Sequence, residues 1–128
     1  MLPMERFMNI SNNEWQIIKA LWKESPLTLK QLCDGVGREQ DWTKHTVISF
    51  LKRMETKGSI RVEQTEERKY FYPTIGEKEA ARQETESLAS KVYGGNKMLL
   101  ISNIVKEQEL NDNEIGELLK ILNERRRV

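Results

Sequence analysis

Apolar residues recur along this chain with two different periods, and the switch between them organises it. The first period is helical. Ser11-Asn12-Asn13-Glu14 has the form of a capping box, in which a hydroxyl and a carboxylate each satisfy a free backbone N–H at a helix start, with Ile10 and Trp15 in staple positions. Trp15, Ile18, Leu21 and Trp22 follow on one face and predict a helix over about residues 11–24, broken at Ser25-Pro26. Thr28-Leu29-Lys30-Gln31 repeats the device with Leu27 and Leu32 as staple, opening a second helix that carries Leu29, Leu32, Cys33 and Val36 and stops at Gly35-Val36-Gly37. A third helix spans 43–57. Thr43 is its N-cap, Trp42 and Val47 its staple, Val47, Phe50, Leu51 and Met54 its buried stripe, and Gly58 its stop.

Beyond Gly58 the period becomes 2. Ile60 and Val62 alternate with Arg61 and Glu63, Tyr70 and Tyr72 alternate with Phe71, and residues 64–69 are a polar turn. Three short helices followed by a two-stranded hairpin, or wing, make a winged helix-turn-helix, in which the third helix is the one that enters a major groove. From Thr74 onward helical spacing returns without strands. Ala81, Thr85, Leu88, Ala89 and Val92 form one stripe, Gly94-Gly95 interrupts it, and Met98, Leu99, Leu100, Ile101, Ile104 and Val105 form a denser run. Asn111-Asp112-Asn113-Glu114, with Leu110 and Ile115 as staple, opens a last helix carrying Ile115, Leu118, Leu119 and Leu122. Such narrow stripes do not bury themselves and call for a second surface, most simply the same segment of another copy. Leu88, Val92, Leu99, Ile101, Ile104, Ile115, Leu118, Leu119 and Leu122 are the expected dimer seam. The fold class is therefore mainly α with a small β-hairpin: a winged-helix DNA-binding domain over 1–74 and a helical dimerisation region over 75–128. Residues 1–9 carry no periodic pattern and read as a loosely attached arm.

Charge changes this picture only locally. The 128 residues carry a net charge of +1, too balanced to coat nucleic acid by bulk attraction. Residues 1–74 hold 12 Lys/Arg against 10 Asp/Glu, and residues 75–128 hold 9 against 10. In the third helix, however, Lys44, Lys52, Arg53 and Lys57 face a single acid, Glu55. Thr43, Lys44, His45, Thr46, Ser49, Lys52 and Arg53 lie off the buried stripe and form the expected DNA-reading face, with early residues reaching base edges and later cations meeting phosphate. Arg68 and Lys69 of the wing are further candidates for the backbone, beside the opposing Glu66 and Glu67. The bland alternative for all of these is a solvated helix face and turn.

Other chemistry is thinly represented. His45 is the one histidine and no companion ligands accompany it, so no metal and no cofactor is expected. No Ser/His/Asp set or glycine-rich phosphate loop points to an enzyme. Cys33 sits on the apolar face of helix two, where a buried inert thiol is the usual case, and a lone cysteine favours a reducing cytoplasm. No run is long enough to insert in a membrane, and no signal peptide is apparent. The three tryptophans occupy helical or staple positions and read as core.

Ile10-Ser11 with Glu14-Trp15 and Leu21-Trp22, then Asp41-Trp42-Thr43, Thr46-Val47, Leu51, Arg53 and Lys57-Gly58, resemble the penicillinase and methicillin-resistance repressors. So do Lys91-Val92-Tyr93-Gly94-Gly95 and Leu110, Glu114-Ile115 and Leu118, which extends the similarity over about residues 10–123. The resemblance implies a dimeric, cytoplasmic, winged-helix repressor bound to palindromic operator DNA and linked to antibiotic resistance. It also implies inactivation by proteolysis inside the dimerisation region, after a membrane sensor protease, acting indirectly, detects β-lactam. Thr46 matches a family base-contact position, whereas several members have arginine at Ile48, so the operator sequence does not carry over. The family's scissile Asn-Phe bond aligns with Asn103-Ile104, where the asparagine matches and the next residue does not. A branch that senses copper through clustered cysteines is excluded, since no cysteine follows Cys33. The competing reading is a winged-helix protein-interaction module, or a regulator answering a different, non-proteolytic signal; near-zero net charge favours it, and the cationic stretch 44–53 opposes it.

Overall fold

The computed structural model describes residues 9–127, so the arm expected over 1–9 lies, apart from Asn9, outside the described residues. The chain forms two compact units, one ending at Thr85 and the other beginning at Glu86. The first contains α1 (Asn12–Lys23), β1 (Leu27–Thr28), α2 (Leu29–Leu32), a π-helical continuation (Cys33–Gly37), α3 (Lys44–Lys57), β2 (Ile60–Gln64), β3 (Lys69–Pro73) and the opening turns of α4 (Glu77–Tyr93). This is a winged helix-turn-helix.

Both predicted capping boxes close as hydrogen-bonded pairs: Ser11 with Glu14, and Thr28 with Gln31. The buried face of α1 is rotated from its predicted position. Glu14, Ile17, Ile18 and Leu21 are buried, while Trp15 and Trp22 lie half-buried at the margin with ring centroids 5.9 Å apart. The Trp22 indole N–H needs a partner and donates to the Ile75 carbonyl at 2.8 Å. Helix two also differs from expectation, since helical backbone continues past Gly35 and through Gly37 instead of stopping there. Gly37 serves close approach. A Cβ at that position would lie 3.3 Å from both the Leu32 carbonyl oxygen and Val47 Cγ2, so the missing side chain lets α3 seat against the π-helical turn.

The wing gains a strand that the sequence did not announce. β3 is central, pairing antiparallel with β2 (Val62 opposite Phe71) and with the two-residue β1 (Leu27 opposite Phe71). Phe71, Leu27 and Ile60 join Ile17, Ile18, Leu21, Leu32, Val36, Val47, Leu51 and Met54 in one core. Ile75 and Ala80 belong to it too, so the boundary falls inside α4 rather than at the composition shift near residue 74. Along α4, Ala80 and Ala89 are buried while Ala81 and Thr85 of the predicted stripe are exposed.

The second unit holds the end of α4, then α5 (Lys97–Glu107) and α6 (Asp112–Arg126). Gly94 and Gly95 end α4 at φ 60° and 87°, a region that favours glycine. Asn96 caps α5, and Asn111 with Glu114 closes a third capping box on α6. Among its described residues only Ala89 and Leu100 are buried apolar side chains, and α6 buries none. No helix among the described residues is long and apolar enough to cross a membrane.

Candidate nucleic-acid interface

The α3 helix is built to a fixed length. The Thr43 hydroxyl accepts from the Thr46 N–H at 3.1 Å, and the Gly58 N–H closes the last turn at φ 90°. Trp42 packs on Phe50 with ring centroids 4.9 Å apart and holds the start of the helix against the core. With Val47, Leu51 and Met54 inside, Lys44, His45, Ser49, Lys52 and Arg53 are exposed and Thr46 is half-buried. The Thr43 and Thr46 hydroxyls are also hydrogen-bonded to each other at 3.0 Å.

The expected cations divide into two groups. Lys44 and Lys52 have no ion-pair partner among the described residues. Lys57 and Arg53 turn instead toward α1. Lys57 Nζ lies 2.9 Å from Glu14 Oε1 and donates to the Asn9 carbonyl at 2.9 Å, while an Arg53 guanidinium nitrogen is 3.9 Å from Glu14 Oε2. Arg53 keeps 56% of its side chain exposed and lies 5.8 Å from the Phe50 ring centroid, so its charge still reaches the surface. Glu14 is fully buried, and the same carboxylate accepts from the Ser11 N–H at 3.2 Å. A buried carboxylate needs such compensation, and here α3 supplies it. Glu14 has thus a second role that its place in a capping box did not disclose.

A cleft of about 570 Å³ runs between α3 and the wing. Ile48, Leu51, Lys52 and Glu55 form its helical wall, Thr28, Leu29 and Lys30 its end, and Val62, Glu67, Arg68, Lys69 and Phe71 its wing side. The structure therefore brings Lys52, Arg68 and Lys69 around one space, adds Lys30, and places Thr43, Lys44, His45, Thr46 and Ser49 along the helix leading to it. Lys30 is paired with Asp34 at 2.9 Å, which holds that carboxyl below the usual carboxylate range. Arg68 lies 3.8 Å from Glu67, so the opposing acid of the turn is partly neutralised locally. Thr65 pins this turn, its N–H and hydroxyl both donating to the Arg68 carbonyl at 2.9 and 3.0 Å. On the other side of the wing, Arg61 lies over the Tyr72 ring at 4.0 Å and pairs with Glu63 at 2.5 Å. The Arg61 hydrogen bond lowers the Glu63 pKa; partial burial, followed by the hydrogen bond to Glu63, raises that of Tyr72.

Sequence reasoning passed over Lys30, for which the exposed third position of the second capping box was the available signal, and noted Ile48 only as a departure from the family's arginine. Among the described residues no group of three or more His, Cys, Asp or Glu is placed to hold a metal ion. The geometry suits an extended polyanion: a helix face with free cations, a basic-rimmed cleft and a β-hairpin bordering it.

Comparison with known proteins gives this geometry its setting. The methicillin resistance regulatory protein MecI of Mammaliicoccus sciuri is 25% identical over 116 residues, covering 91% of this chain and 94% of that protein. The penicillinase repressor of Bacillus licheniformis is 26% identical over 122 residues and 94% of each chain. Among solved structures, AbfR of Staphylococcus epidermidis aligns with 94% of this chain and 76% of that one at 18% identity and a TM-score of 0.44. Residues 10–124 match the penicillinase repressor family as a whole, and the chain belongs to that family, one of transcriptional repressors rather than enzymes.

Proposed function

We propose that this protein is a homodimeric cytoplasmic repressor that holds palindromic operator DNA with α3 and the wing. The observation that carries this reading is α3 itself: a capped helix whose exposed side leads to a basic-rimmed cleft closed by a hairpin. Thr43, Thr46 and Ser49 take base edges or nearby phosphate oxygens, His45 adds a hydrogen bond, and Lys44, Lys52, Arg53, Arg68 and Lys69 meet the backbone. Residues 1–74 do the reading and residues 75–128 the pairing, although Ile75 and Ala80 also anchor the second part in the first unit's core.

The pairing is supported by what is left uncovered. Leu88, Val92, Leu99, Ile101, Ile104, Ile115, Leu118, Leu119 and Leu122 are all at least 36% exposed in one chain. So many exposed large apolar residues in one region are what an interface leaves uncovered in a single chain. The relatives are named for methicillin resistance and penicillinase repression, which supports β-lactam resistance genes as targets; a β-lactam or cell-wall signal is the inducer in this reading. Release then comes from a cut in the second unit at or near Asn103-Ile104, made by a protease under the control of a membrane sensor. Both residues are exposed, but their peptide bond lies within α5, so that helix must open locally before a protease is able to grip it as an extended strand.

Binding to the DNA upstream of its own gene tests the reading. A dimer that neutralises 6–10 phosphates loses roughly 10³–10⁵-fold in affinity between 50 and 200 mM salt. Lys52→Ala lowers the slope of log affinity against log salt by about 1. Footprints that persist unchanged across that salt range, or an intact chain in derepressed cells, would count against binding and release respectively.

A further inference from the structure

Ile48 is the apolar residue of α3 that stands on the cleft wall outside the fully buried stripe. It lies in the second turn of α3, outside the buried stripe of Val47, Leu51 and Met54, and is only half-buried. Lys44 stands one turn before it and Lys52 one turn after it, so it interrupts the cationic side of the helix. It shares the wall of the 570 Å³ cleft with Lys52, and its side chain is therefore reachable from the space between helix and wing. The first two turns of a recognition helix are the part that meets base edges. Among base edges in the major groove, one group is apolar: the C5 methyl of thymine.

We propose that Ile48 is a specificity-determining residue that packs against a thymine methyl, so that each operator half-site carries a T·A pair opposite the second turn of α3. This rests on the repressor reading above and names the base that reading left open. The side chain offers no donor to guanine N7 or O6 and no acceptor to the cytosine amino group. A G·C pair there would give up hydration of those groups without a replacement, which disfavours it. Lys44 and Lys52, one turn away on either side, meet phosphates and hold the helix at the depth where the methyl is within reach.

The test uses the full chain. Preferred duplexes are selected from a randomised pool, and each thymine of the selected half-site is then replaced singly by deoxyuridine, which deletes only the methyl. One position per half-site should lose about 3–5-fold in affinity, the scale of returning one methyl group to water. Altering both half-sites should cost roughly 10–20-fold, the square of that loss. Ile48→Ala should bind thymine and deoxyuridine equally at that position while remaining sensitive elsewhere as the parent is. Ile48→Gln, whose polar side chain suits an exposed helix side, should shift selection there from thymine toward adenine. Specific binding with a flat deoxyuridine scan, or a thymine preference unchanged in both variants, overturns the inference and leaves the repressor reading intact. A pool that yields no preferred duplex overturns both.

Discussion

The two units bury their apolar residues to opposite extents. In the first, α1, α3 and the sheet converge on one cluster, and Ile17, Ile18, Val47 and Met54 are completely inaccessible to solvent. In the second, every large apolar residue from Leu88 to Leu122 except Leu100 and Leu110 is at least 36% exposed, and α6 contributes nothing to any interior. The helices of the second unit are nonetheless as well capped as those of the first, with Asn96 and the Asn111/Glu114 box at their starts. Caps set where a helix begins, but most helical stability in proteins comes from packing an apolar face. The first unit is complete as one chain. The second has its elements specified and its packing left to another surface, which the proposed dimer supplies.

The largest effect should come from charging that surface. Leu119→Asp with Leu122→Asp places two carboxylates at exposed positions, so the single chain has little to lose. Sedimentation should show the mass halved, and operator affinity should fall about 10²–10⁴-fold as the two reading helices lose their shared tether. A dimer that survives both substitutions would remove the contrast between the units.

Truncation inside the first unit should behave in the reverse way. Leu21→Ala should cost about 2–5 kcal/mol of unfolding free energy, the usual range for a buried leucine. Trp15, Trp22 and Trp42 all lie in the first unit, so tryptophan fluorescence during urea unfolding reports on it alone. The transition should move to lower urea while the sedimenting mass in buffer stays that of the parent.

Glu14→Gln gives a smaller effect of the same kind. It keeps a side chain able to accept from the Ser11 N–H but leaves Lys57 and Arg53 without their anion. The cost should be about 1–3 kcal/mol, the range for stranding a polar partner, with Lys57 still able to reach solvent. A companion Lys57→Met variant closes a double-mutant cycle, and additive losses would show that the two residues do not act together.

The smallest effect is on the wing. Glu63 has its pKa lowered by Arg61, so its contribution to folding is complete above the ordinary carboxylate value of 4.5 and is lost as pH falls through the lowered one. Nuclear magnetic resonance of the Tyr72 ring should follow that loss and show nothing comparable between pH 5 and 8. In Glu63→Gln the acid-side change should vanish. The second unit's helicity should not follow this titration.

Short-range chemistry made much of this legible from residues alone. All three capping boxes, the Thr43 and Gly58 ends of α3 and the alternation of the wing use residues within four positions of one another. The exceptions depended on distance. Glu14 meets Lys57 across 43 positions, and nothing local in Ser11-Asn12-Asn13-Glu14 tells a capping carboxylate from a buried anchor. β1 is two residues long, too short for any period to register, and is recognisable only once β3 lies beside it. Gly37 carries the same letter as a stop signal, yet its reason is the approach of Val47. At the candidate site, the exposure of Lys44, His45, Ser49 and Lys52 followed from the helical period. The diversion of Lys57 and part of Arg53 toward Glu14 did not, so the helix exposes less unpaired charge than its sequence suggests.

The paired hydroxyls at the start of α3 bear on how that smaller charge is used. Thr43 accepts from the Thr46 N–H, and its hydroxyl is hydrogen-bonded to that of Thr46, so each holds the other in place. A neutral hydroxyl discriminates among hydrogen-bonding partners by angle and distance, and counterions do little to weaken it. In the proposed complex with DNA, raising the ionic strength would weaken the attraction of the lysines more than any hydrogen bond this hydroxyl makes. Overall affinity would then fall with salt faster than the preference for one sequence over another, and the protein would be at its most selective where it binds least tightly.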